Sequence, residues 1–135
     1  MAKYDCLVYA ATPSRLTSYV DDIMQFVTDQ GFACLHPFKA LPYEYYEGGK
    51  VGRDKTLVHC CRLVEVCDEF WVFGISKGVL TELRHVFQFN KNIENPMQVR
   101  LMLELYDLDW RDIALELRHD FKDEFSLIDA LSFQA

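Results

Sequence analysis

Cys6-Leu-Val-Tyr-Ala-Ala11 is a continuous apolar run, and Thr12-Pro-Ser14 closes it. A strand with one wet face alternates apolar and polar residues, whereas an unbroken run of this length suits a strand buried on both faces of a parallel sheet. Next in the chain, apolar Leu16, Tyr19, Val20, Ile23, Phe26 and Val27 recur at spacings of three and four. That is the stripe of an amphipathic helix from Ser14 to Gln30, with Gly31 placed to stop it. Phe32-Ala-Cys-Leu35 reads as a second strand, ended by His36-Pro37. Leu41 to Gly52 carries three Tyr, two Glu, a Pro and three Gly with no period, and is expected to be a functional loop or lid.

The same alternation continues. A helix from about Arg53 to Cys67 would set Leu57, Cys60, Cys61 and Val64 on one side, with Glu69-Phe-Trp-Val-Phe73 as the third strand and Trp71 in the core. Gly74-Ile-Ser-Lys-Gly78 then turns into a helix reaching about Phe89, with Val79, Leu83, Val86 and Phe87 as its core stripe. Asn90 to Pro96 breaks it. Met97 to Leu105 fits a fourth strand through Val99, Leu101 and Leu103, or else a helix. Residues 107–135 hold eight acids and three bases up to Asp129, around Trp110, Ile113, Leu117, Phe121, Phe125 and Ile128, and read as one or two acidic C-terminal helices.

Strands alternating with helices imply parallel pairing through right-handed crossovers. The expected fold is therefore a small α/β, doubly wound, Rossmann- or flavodoxin-like parallel sheet with flanking helices. In such sheets ligands bind beyond the carboxyl ends of the strands where the strand order reverses, here the first and third. The loops Ala10 to Arg15 and Gly74 to Gly78 thus become the candidate site. Ala11, Thr12, Pro13, Ser14, Arg15, Gly74, Ser76 and Gly78 are its candidate binding residues. Glu82, one turn beyond Gly78 and leaning toward the helix N-terminus, should aim its carboxylate into the crevice.

Composition bounds the remaining choices. The chain has 135 residues, 50% of them hydrophobic and 14% aromatic, enough for one domain over residues 1–135 with its own core. Fourteen Lys and Arg against twenty-one Asp and Glu give a net charge of −7, which argues against a nucleic-acid polymer as partner. The excess acid belongs to the second half: residues 1–67 carry seven cations and eight anions, residues 68–135 seven and thirteen. No apolar run approaches the roughly 20 residues that span a bilayer, so no membrane partner is expected. Met1-Ala-Lys-Tyr-Asp5 has neither a basic leader nor a cleavage site, and an odd count of five cysteines in apolar segments fits a reducing compartment. The expected localisation is cytoplasmic.

Leu63-Val-Glu-Val-Cys-Asp68, followed by Glu-Phe-Trp-Val-Phe-Gly74 and Ile-Ser76-Lys-Gly78-Val-Leu-Thr-Glu82, resembles the signature of the nucleoside 2-deoxyribosyltransferase-like superfamily. Its parts are a helix, an Asp opening an apolar strand, a Ser-x-Gly turn and a Glu on the next helix. Val8-Tyr-Ala-Ala-Thr-Pro13 similarly resembles the family's first strand and loop, and short members whose third strand reads Cys-Asp-Glu-Leu-Trp-Val-Phe-Gly are the nearest in pattern. The likeness spans about residues 5–90. It implies cleavage or transfer of the N-glycosidic bond of a nucleoside, nucleotide or related ribosyl compound, with Glu82 as carboxylate nucleophile. It implies no metal and no cofactor, and a homodimer whose pockets a neighbouring subunit completes. A carboxylate suits this chemistry because it can stabilise an oxocarbenium-like centre and capture C1 of the sugar.

One departure bears on catalysis. The family's second catalytic Asp, eight residues before the strand-opening Asp68, is here Cys60; Asp54 lies on the same helix but six residues earlier. Tyr43, Tyr45 or Tyr46 in the long loop and Arg15 or Ser14 in the first loop are further candidate substrate contacts, Arg15 toward a 5′-phosphate. Each residue also has a plainer reading. Glu82 would pair with His85 along its helix, Asp68 would tie strand ends by bonds to nearby backbone, and His59-Cys60-Cys61 lacks the spacing of a metal site. Two other functions therefore stand beside glycosidic cleavage: a non-catalytic nucleotide-binding or sensor module, and an assembly module using the acidic helices.

Overall fold

The computed structural model describes residues 3–90 and 97–101. Four strands, β1 (Leu7–Ala11), β2 (Ala33–Leu35), β3 (Glu69–Val72) and β4 (Gln98–Leu101), form one sheet in the order β2-β1-β3-β4. Every pair is parallel, with Val8 beside Cys34 and Glu69, and Glu69 beside Gln98. The helices are α1 (Val20–Asp29), the single turn α2 (Pro37–Ala40), α3 (Arg53–Glu65) and α4 (Lys77–Asn90). The chain steps one way from β1 to β2 and the other way from β1 to β3 and β4, so the fold is the small doubly wound α/β sheet its pattern implies.

Strand alternation sorts the core into two layers. Val8, Ala10, Trp71 and Phe73 meet Ile23 and Val27 of α1 on one face. Tyr9, Ala11, Phe70 and Val72 meet Val64 with Val79, Leu80, Leu83 and Val86 of α4 on the other. Burial on both faces is what an unbroken apolar run requires. Each large core side chain contributes about 1.5–3 kcal/mol from leaving water. Glu69, buried at the start of β3, is the acidic exception. Burial alone would raise its pKa, but donors from Trp71 Nε1 (2.9 Å), Cys6 Sγ (3.3 Å) and Arg100 Nε (2.7 Å) hold the carboxyl below its ordinary value.

Several boundaries differ from the sequence reading. Ser14 to Gln30 is not one helix: Ser14–Tyr19 is a 3-10 helix, kinked at Leu16 (φ −101°, ψ 18°), and α1 begins at Val20. Thr17 Oγ1 donates back to the Ser14 carbonyl, the local competition that makes Ser and Thr weak helix formers. β2 starts at Ala33 rather than Phe32, and β3 ends at Val72, although Phe73 N still donates to Ala11 O at 3.0 Å. α3 stops at Glu65, short of Cys67. After His36 the chain makes the helical turn α2, because Pro37 suits a first helical position and the His36 ring caps it through Phe38 N. Gly31 stops α1 with φ +88°, as expected. Of the two options for Met97 to Leu105, the described part is strand. The break expected from Asn90 to Pro96 does not include Asn90, the last residue of α4; its residues 91–96 and the acidic helices expected over 107–135 lie outside the described residues. Among the described residues no helix is long and apolar enough to cross a membrane.

Candidate functional site

The carboxyl ends of β1 and β3 lie side by side, and the loops leaving them touch. A Cβ on Gly74 would stand 2.8 Å from Pro13 Cγ and 3.2 Å from Leu16 Cδ1, so only glycine lets the two loops close to this distance. Beyond them is a cavity of about 100 Å³ lined by, among others, Thr12, Ser14, Glu47, Arg53, Cys60, Ser76, Gly78 and Glu82. This is the switch-point crevice of a doubly wound sheet. A larger cavity of about 270 Å³ adjoins it, sharing Ser14, Phe38, Glu47, Thr56 and Cys60, and is walled further by Pro37, Leu41, Pro42 and Tyr43.

Glu82 is 6% exposed and sits on the α4 face turned to the sheet. Its carboxylate accepts a hydrogen bond from the Tyr9 hydroxyl, which reaches across from the middle of β1. The Tyr9 ring is held by stacking on Phe70 at 5.5 Å and 3°. Burial pushes the Glu82 carboxyl up to about 7, with the Tyr9 bond pulling the other way. Burial and the neighbouring Glu82 push Tyr9 well above its ordinary 10, so the phenol keeps its proton and remains the donor. Glu82 does not pair with His85. His85 Nε2 instead meets Glu65 Oε2 of α3 at 3.0 Å, which leaves Glu82 to the cavity.

Cys60 stands next to Tyr9 and Glu82, and burial, reinforced by Glu82, pushes its thiol up to about 12. It is therefore neither a thiolate nucleophile nor an acid matched to neutral pH. Opposite, Ser76 Oγ accepts from Val79 N at 3.2 Å and caps α4. Above Gly78 there is room: a Cβ there would meet only Arg53 Nη2 at 3.7 Å and Ser76 Oγ at 3.9 Å. Arg53, at the start of α3, donates through Nη1 to Glu47 Oε1.

The Thr12 wall is fixed by a buried relay. Phe38 N donates to His36 Nδ1 at 3.2 Å, so in the neutral ring the proton resides on Nε2, which donates to Thr12 Oγ1 at 3.0 Å. Thr12 in turn donates to Ala10 O at 3.1 Å, leaving its oxygen to act as an acceptor toward the cavity. Burial, with Lys39 nearby, pushes His36 down to about 4, so the ring is neutral at physiological pH.

Of the residues singled out by sequence, Thr12, Ser14, Ser76, Gly78 and Glu82 line the smaller cavity and Tyr43 the adjoining one. Ala11, Pro13 and Gly74 are buried in the scaffold beneath, outside the lining. Arg15 lies on an exposed part of the 3-10 helix and Asp54 on the exposed first turn of α3, both outside the lining. Asp68 Oδ2 accepts from Leu7 N at 2.8 Å and so ties the start of β3 to β1, the plainer of its two readings. Tyr9, Glu47, Arg53 and the His36–Thr12 pair were not found from sequence. Tyr9 carried the one usable signal, a hydroxyl-bearing residue in an otherwise unbroken apolar strand. In comparisons with protein-family models, curated proteins and solved structures, nothing matched the chain.

Proposed function

We propose that the protein binds a nucleoside, nucleotide or related ribosyl compound at the switch-point cavity and cleaves or transfers its N-glycosidic bond, with Glu82 as the carboxylate nucleophile. The supporting observation is the Tyr9–Glu82 pair: a buried carboxylate in the wall of a cavity of mixed polar and apolar lining, oriented by a phenol that keeps its proton. With its pKa near 7, Glu82 is about half ionised at neutral pH, enough to attack while remaining a better nucleophile than an ordinary carboxylate. The sugar would sit above Gly78, where a side chain is missing, with Thr12 as an acceptor for a sugar hydroxyl. The resemblance of the Ser76-to-Glu82 turn to the deoxyribosyltransferase-like signature points to the same reaction. Free thiols at all five cysteines fit a cytoplasmic setting for it.

The test is base release from deoxynucleosides and their monophosphates, followed by chromatography, for the parent and Glu82→Gln. The parent should release base and the variant should not; equal rates, or none from either protein, would refute the reading. Cys60 favours a second reading, a binding module without turnover, because a thiol stands where the resembling enzymes place an acid. Ligand-dependent melting without base release would identify it, since a ligand at 100 times its Kd stabilises by about 2.7 kcal/mol.

A further inference from the structure

Retaining cleavage at a glycosidic carbon uses two carboxyl groups, one to capture C1 and one to move a proton at the leaving atom and then at water. Among the described residues that line the cavity, Glu82 has a single carboxyl companion, Glu47. Glu47 belongs to the loop between α2 and α3, so no helical spacing could reveal it. It also borders the adjoining apolar cavity. It therefore stands at the junction of the two spaces, where the scissile bond would lie between a sugar near Glu82 and an aromatic leaving group among Phe38, Leu41 and Tyr43. Its charge reaches Cys60, the α3 position from which an acid is missing. Arg53 ties Glu47 to the space above Gly78, bonding the carboxylate through Nη1 while Nη2 borders that space.

We infer that Glu47 is the second catalytic carboxyl group, the acid and then the base of the glycosidic reaction; this rests on the assignment of Glu82 as nucleophile. In the first step a Glu82 oxygen forms a bond to C1. The C1–N bond breaks with its electron pair going to the base nitrogen, which takes the proton from Glu47. In the second step water attacks C1 and gives its proton to the Glu47 carboxylate, and the C1–O pair returns to Glu82. The sum is glycoside plus water giving sugar plus base, with both carboxyl groups restored.

The deciding experiment compares two substrates, a deoxynucleoside, whose base must be protonated to leave, and 4-nitrophenyl 2-deoxyriboside, whose nitrophenolate leaves without a proton. Glu47→Gln should lose roughly 10²–10⁴-fold on the deoxynucleoside. It should nevertheless release nitrophenolate in a first-turnover burst near the parent's rate, and azide, which attacks without shedding a proton, should restore turnover. Glu47→Asp, which keeps a carboxyl group, should regain part of the deoxynucleoside activity. An equal loss on both substrates, as from a folding defect, or no loss on the deoxynucleoside, overturns the inference. If the parent cleaves neither substrate, the Glu82 reading fails and Glu47 with it. If the parent is active, Glu82→Gln is dead and Glu47→Gln is unimpaired, Glu47 alone fails.

Discussion

Replacing Glu82 with Gln should make the protein more stable at alkaline pH, and by a predictable amount. A buried carboxyl whose pKa stands at about 7 instead of the ordinary 4.5 binds its proton in the folded state over a range where the unfolded chain has released it. The stability this provides is fully present below pH 4.5 and is lost as pH rises through 7. The shift corresponds to roughly 3 kcal/mol between those limits. Gln keeps the shape and an oxygen for Tyr9 but cannot ionise. His36 works in the opposite sense: its pKa falls from 6.5 to about 4, so its contribution is present above 6.5 and lost as pH falls through 4. The two slopes oppose each other in the parent, so the informative quantity is the difference between parent and variant, in which His36 cancels. Urea unfolding at pH 4.5, 6, 7 and 8 measures it. The variant should gain relative to the parent between pH 4.5 and 7 and plateau near pH 8, about 3 kcal/mol above its acid-side value. A difference that stays flat with pH would show that Glu82 is neither buried nor proton-bound in the way described, and the site chemistry would fall with it.

Other substitutions separate scaffold from site. Tyr9→Phe removes the donor from a buried carboxylate and should cost about 1–3 kcal/mol in urea unfolding, largest above pH 7, along with base release. Gly78→Ala meets only ordinary contacts within the protein, so its melting temperature should hold or rise, while thermal-shift titration should show weakened nucleoside binding. Asp68→Ala loses the tie to Leu7 N and should destabilise by about 1 kcal/mol with base release per folded molecule unchanged. The family resemblance adds self-association: sedimentation at micromolar concentration should show a two-fold dimer, and a 15.8 kDa species alone would contradict it.

The layout was largely readable from sequence because it rests on local periodicity. The unbroken run at β1, the helical stripes around Ile23 and Leu83, and the stop at Gly31 each signal within a few residues. Glu82 was readable for the same reason, since its spacing from Gly78 lies on one helix. The rest of the site depends on what the sheet brings together. Tyr9 matters because parallel register places its hydroxyl beneath α4, and nothing within β1 indicates that. His36 and Thr12 are 24 residues apart and join only when β2 pairs with β1. Arg53 and Glu47 meet across a glycine-bearing loop without a repeating pattern. Arg15, expected at the entry of the first helix to face the crevice, lies instead on the exposed 3-10 turn and outside the cavity lining.

As the proposed nucleophile, the Glu82 carboxylate should form a bond to the sugar carbon. Incubating the protein with a 2-deoxy-2-fluoro nucleoside slows release of the glycosyl group more than its capture, and peptide mass mapping then reports where the sugar resides. One fluoroglycosyl group should appear, carried by the peptide containing Glu82 and absent from Glu82→Gln. Base release by the parent with no adduct, or with the adduct on another residue, would contradict it.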